Sequence, residues 1–302
     1  MKYASACAVL LLLMSSVSLS AQWAKFQDPA VPRDAKGEAR LDAPPPRTAD
    51  GKPDLSGTWL RADRDPLPPE LAGLFSANRN AAGDVSGEVR IPEFPADPKS
   101  PPVGAFWEIA TNIPGGLPLT PWAAEVKKAR MALDMKDNPD ANCMPMGITQ
   151  FHMQPQPRKI IQTPTLIVIL YEANYGVRYI YLDGRKLPPQ GDPQPWWYGY
   201  SVGRWQGDTL IVETNNVRGA ESGPFDGWLD VRGSPYSQQA KFTERFRRPM
   251  FGKLEIDITL EDPKAYTKPF TVRINQRVMV DEELIEFVCN ENQQFRRRVK
   301  ID

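Results

Sequence analysis

From Lys159 to the end of the chain, apolar residues recur at every second position in one segment after another. No other feature limits the fold as strongly. Phe270, Val272, Ile274, Val278 and Val280 alternate with Thr271, Arg273, Asn275 and Arg277, and Leu254, Ile256, Ile258 and Leu260 alternate with Glu255, Asp257, Thr259 and Glu261. A period of two gives each segment one apolar and one wet face, the mark of a half-buried strand. Strands are predicted at roughly 159–163, 165–173, 177–183, 197–205, 209–215, 240–248, 253–261, 270–280 and 283–290. Asn174-Tyr175-Gly176, Asp183-Gly184, Gln206-Gly207-Asp208 and Phe251-Gly252 supply turn chemistry between them. With no helical pattern between the segments, the expectation is all-β: an antiparallel meander of about 9–10 strands that closes into a barrel or folds over as a two-sheet sandwich.

The chain before this sheet reads differently. Residues 1–21 combine Lys2, an apolar run through Val9, Leu10, Leu11, Leu12, Leu13 and Met14, and small residues ending at Ser20 and Ala21. This is the pattern of a cleavable secretory signal peptide, with an apolar part too short to span a bilayer. Cleavage is expected after Ser20 or Ala21, which places the mature protein in the periplasm or outside the cell, and not across a membrane. Residues 22–54 form a Pro-rich arm with Pro44, Pro45 and Pro46 in succession. A single β-rich domain is expected over 55–302, loop-rich over 55–158 and with its sheet over 159–302. Within the loop-rich part, eight prolines between Asp63 and Pro102 forbid regular structure over most of that stretch. One helix is predicted there, with Thr120 as N-cap, Pro121 at the first position and Trp122, Val126, Ala129 and Leu133 on one face.

Of three cysteines, Cys7 falls in the signal segment. Cys143 and Cys289 are left as an even pair in an oxidising compartment, so a disulfide is expected over two buried thiols. The chain carries 37 basic and 37 acidic side chains, interleaved, and one histidine. This balance argues against a nucleic-acid partner, and a single histidine excludes a multi-histidine metal site. No cofactor motif is present.

Two resemblances add to this reading. Gly57-Thr58-Trp59 is similar to the first strand of lipocalin-like barrels, in which the tryptophan plugs the barrel floor beneath a basic side chain of the last strand; Arg296, Arg297 and Arg298 are the candidates for that partner. The segments Ile161-Gln162-Thr163-Pro164, Ile180-Tyr181-Leu182-Asp183-Gly184-Arg185, Tyr200 to Leu210, Glu244 to Arg248 and Asp262 to Thr267 resemble a family of exported bacterial β-rich proteins. That likeness implies export and one β-rich domain, and carries no catalytic assignment.

Gly199-Tyr200-Ser201-Val202-Gly203 matches the nucleophile-elbow pattern, but strand follows it where a helix is required, and His152 precedes it. Ser201 is therefore not assigned as a nucleophile. His152 is either a structural residue or a base or ligand beside carboxylates. The more informative signal is charge on apolar strand faces: Glu172, Arg178, Glu213 and Glu244 stand there, as does Gln276. Such groups pair internally, fixing strand register, or form a pocket. Tyr181 and Trp205, within a wider cluster of Trp196, Trp197, Tyr198 and Tyr200, supply aromatic walls. The leading expectation is a binder of a small, partly apolar organic molecule in a barrel cavity carrying Glu172, Arg178, Tyr181, Trp205, Glu213 and Glu244. Alternatives are an acid–base enzyme that brings two of Glu172, Glu213, Glu244, Asp183 and Tyr181 together, and a cell-envelope module whose Pro-rich arm docks on a protein.

Overall fold

The computed structural model describes residues 27–63, 98–191 and 194–291. The signal segment, Arg296 to Arg298 and most of the proline-rich stretch after Asp63 lie outside these residues. Nine strands close into one barrel: β1 (Gly57–Arg61), β2 (Arg158–Gln162), β3 (Leu166–Tyr171), β4 (Val177–Tyr181), β5 (Tyr200–Gln206), β6 (Thr209–Asn215), β7 (Lys241–Met250), β8 (Lys253–Glu261) and β9 (Phe270–Met279). β1 pairs with both β2 and β9, through Gly57↔Ile160 on one side and Thr58↔Met279 on the other, which leaves no free edge.

The predicted alternation places the side chains. Along β7, Phe242, Glu244, Phe246 and Arg248 are buried while Lys241, Arg245 and Arg247 are exposed. Along β8, Leu254, Ile256, Ile258 and Leu260 are buried beside them. Each fully buried Phe or Ile stabilises by about 1.5–3 kcal/mol, so these two strands carry a large share of the core. The outer faces of β7, β8 and β9 are laced by ion pairs, with Arg273 holding Asp257 at 2.6 Å. The β7–β8 register shifts between Arg247 and Met250, where Pro249 has no N–H to offer the ladder.

Three features depart from the sequence expectation. All strand pairs are antiparallel except β4–β5, where Ile180 and Tyr181 align in parallel with Ser201 and Val202. The described residues between these strands, 182–191 and 194–199, form no strand of the barrel, and the prolines of the segment leave no strand pattern by which to foresee the parallel pairing. No strand forms over 283–290; Ile285 instead donates its N–H to Glu172 at 3.0 Å, and Cys289 is bonded to Cys143. The Pro-rich arm folds back on its own barrel, with Phe251 and Gly252 donating to the carbonyls of Ala43 and Leu41.

Two α-helices and two single-turn 3-10 helices, Asp140–Asn142 and Ala173–Tyr175, complete the described fold. α1 (Pro121–Ala132) starts as predicted, the Thr120 hydroxyl accepting from the Ala123 amide at 3.3 Å. It lies on the surface and buries only Ala123, leaving Leu133 of the expected apolar face exposed. α2 (Ile148–Met153) has all six residues buried and delivers His152 into the barrel interior.

Candidate functional site

At one end of the interior, Trp59 is fully buried, its indole N–H bonded to the Leu55 carbonyl at 3.0 Å. A guanidinium lies 4.8 Å above the ring, as the lipocalin-like pattern implies, but it belongs to Arg248 of β7. Arg248 donates to the carbonyls of Asp54, Ser56 and Phe251. Burial lowers its pKa to about 10, with the nearby Asp54 opposing. Gly57 takes φ +143° here, a backbone conformation that residues with a Cβ rarely adopt.

Toward the other end lies a buried polar nucleus. Arg178 Nη1 donates to Glu244 Oε1 at 2.9 Å and its Nη2 bonds Oε2, making a two-point pair between β4 and β7. His152 Nε2 lies 3.1 Å from Glu244 Oε1, so the proton on that nitrogen faces the carboxylate and Nδ1 is the acceptor. Nδ1 has no hydrogen-bond partner among the described residues. Arg178 also donates to Ser201 Oγ and Thr214 Oγ1, at 3.1 and 3.0 Å. Burial alone would raise the Glu244 pKa; the Arg178 charge, with hydrogen bonds from Arg178 and His152, outweighs it and brings the group to about 2. Burial lowers the His152 pKa, so the imidazole is neutral.

These contacts account for the elbow-like motif without catalysis. Gly199 takes φ +64° against the Asn215 carbonyl, Gly203 leaves room for Leu182, and Ser201 is fixed by Arg178 on a strand.

Of the six predicted site residues, the fold brings together only Arg178 and Glu244. Glu172 sits at the end of β3, its pKa raised by burial, and accepts from Ile285. Glu213 faces outward and pairs with Arg204. Tyr181 is also on the outer face, stacked on Tyr200 at 5.3 Å with the Arg185 guanidinium 3.8 Å from its ring centre. Trp205 is half-buried near the end of β5. Asp183 pairs with Arg185 on the surface, so no two carboxylates of the acid–base set converge.

Sequence reasoning missed α2 as the carrier of Glu244's partner. The signal was weak: a histidine between Phe151 and Met153, in a short run that also holds Thr149 and Gln150. No family model, curated protein or solved structure matches the chain.

Three crevices lie elsewhere, and neither Arg178 nor Glu244 lines them. One of about 230 Å³ lies between α1 and Trp228, and a polar one of about 540 Å³ lies beside Tyr266. The third, about 320 Å³, opens at the Trp59 end between the arm, β1 and the chain after β9. Its apolar wall includes Ile160, Ile161, Phe251 and Val278, and its charged groups are Arg248 and Lys159 together with the carboxylates of Asp28, Asp54, Asp281, Glu282 and Glu283. Among the described residues no group of three His, Cys, Asp or Glu side chains is placed to hold a metal ion, and no helix is long and apolar enough to cross a membrane.

Proposed function

We propose that this is an exported binding protein that takes a small, partly apolar organic molecule into the crevice at the Trp59 end. The supporting observation is an apolar wall beside the buried Arg248, enclosing a volume of about 320 Å³, which suits a small ligand. The Arg178–Glu244 pair then serves as an internal clamp that fixes the register of β4 against β7. The Cys143–Cys289 disulfide fits an oxidising compartment.

The test is mass spectrometry of small molecules released from protein purified without detergent from its native host. The wild type retains a molecule, and Ile161→Glu, a change at a partly exposed wall position, loses it. An unchanged retained molecule in the variant, or none in either protein, refutes the reading. N-terminal sequencing of the periplasmic fraction is expected to begin at Ala21 or Gln22; a chain beginning at Met1 there contradicts export by cleavage.

A second reading, acid–base chemistry, rests on the neutral His152 held by Glu244 with Nδ1 unpartnered. It requires substrate to reach a side chain that is fully buried. Loss of a measured turnover in His152→Gln, with the fold retained, would favour it.

A further inference from the structure

The polar nucleus contains more buried positive charge than its described carboxylates balance. Arg158 of β2 is 1% exposed and sits in register with Tyr171 of β3. Its guanidinium donates only to main-chain carbonyls, those of His152, Gln154 and Gln156, at 2.7–2.8 Å. Its Nε has no hydrogen-bond partner among the described residues. Glu244 is already engaged by Arg178 and His152, and Glu172 is turned to the Ile285 amide. Carbonyl dipoles solvate a buried cation but do not neutralise it, and an unmatched buried charge is costly.

Tyr171 stands beside this charge. Its ring stacks on Phe151 at 4.3 Å, and the whole residue is 4% exposed. Its hydroxyl has no well-formed hydrogen bond, although its oxygen feels Arg178 nearby. Burial first, and the Glu244 charge with it, push the phenol up to about 12, so it stays protonated and is a donor in search of an acceptor. Donors on two adjacent strands and a net positive surrounding describe a receptor for a small anion.

We propose that the barrel interior binds a small carboxylate-type anion between the Arg158 guanidinium and the Tyr171 hydroxyl. The bonds formed are charge-assisted, from Arg158 Nε–H and Tyr171 O–H to the anion's oxygens. The site is separate from the crevice at the Trp59 end, and either assignment can fail without the other.

Thermal unfolding of the mature protein tests this, with sodium acetate exchanged for sodium chloride at constant ionic strength and acetamide as the neutral control. The wild-type midpoint is expected to rise with each tenfold increase in acetate, as binding to the folded state requires. Arg158→Gln should abolish the rise. Tyr171→Phe, which keeps the stack on Phe151, should weaken the apparent affinity about tenfold or more, the worth of one hydrogen bond to a charged group. Should Arg158→Gln fail to fold, the Tyr171→Phe comparison decides alone. A wild type indifferent to acetate, an equal response to acetamide, or a full response in Tyr171→Phe overturns the proposal.

Discussion

Arg178 and Arg248 are both buried and both face the barrel interior, yet the molecule stabilises them in different ways. Arg248 rests over Trp59 and spends its donors on backbone carbonyls of the chain around it. Arg178 meets a carboxylate from across the barrel and two hydroxyls from β5 and β6. Both arrangements tie distant parts of the chain together, but the first meets only carbonyl dipoles, whereas the second sets charge against charge and makes each partner dependent on the other. Removing one member of the second should therefore do far more damage than removing the first outright.

The largest expected effect is Glu244→Leu, which leaves Arg178 buried without its counter-ion and should cost about 3–5 kcal/mol in urea denaturation. The double change Glu244→Leu with Arg178→Met should recover most of that loss. If the double variant is no better than the single one, the pair is not a unit and the contrast with Arg248 fails.

Acid should reach the same pair next. Glu244 has a depressed pKa in the fold, so its stabilisation is complete above the ordinary value of 4.5 and is lost as pH falls towards about 2. His152, lowered by burial, acts in the same direction: its neutral form suits the fold, and protonation opposes folding as pH falls below 6.5. Stability followed from pH 7 downward should fall first gently and then steeply, by about 3 kcal/mol from Glu244. The double variant should lack the steep phase.

Arg248→Met keeps apolar contact with Trp59 but strands buried carbonyls. A loss of about 1–3 kcal/mol is expected. A loss as large as that of Glu244→Leu would erase the distinction between the two ends. The smallest effect should come from Glu213→Gln, whose partner Arg204 is on the surface; a change beyond about 0.5 kcal/mol in the same denaturation would show that outer pairs matter more than screening allows.

The wall of the barrel could be read from sequence because a period of two is unambiguous when six to ten residues share it, as in β7, β8 and β9. The same alternation correctly set Glu244 and Arg178 on inward faces. It failed where no period exists. The chain over 182–199 has no pattern from which a parallel β5 could be inferred, and the aromatic ring of Tyr181 suggests a pocket wall although Arg178 and Ile180 define the inward face of β4. Glu213 departs from expectation for a related reason: the run Leu210 to Val212 hides which parity is buried, since Ile211 is itself shielded on the outer side. The lipocalin-like pattern points to Arg296, Arg297 and Arg298 as partners of Trp59, whereas the residue over the ring is Arg248, which the alternation of β7 sends inward beside the irregularity at Pro249.

The pairing of β1 with β9 has a consequence for how the molecule comes into being. Thr58 finds Met279 only after nearly the whole chain is available, and its other neighbour, Lys159, also lies far downstream. The first strand must therefore wait unpaired while the later hairpins form, which places this chain among slow folders dominated by distant contacts. A product that stops before Phe270 would leave both β1 and β8 with open edges, and those edges would seek partners in other chains.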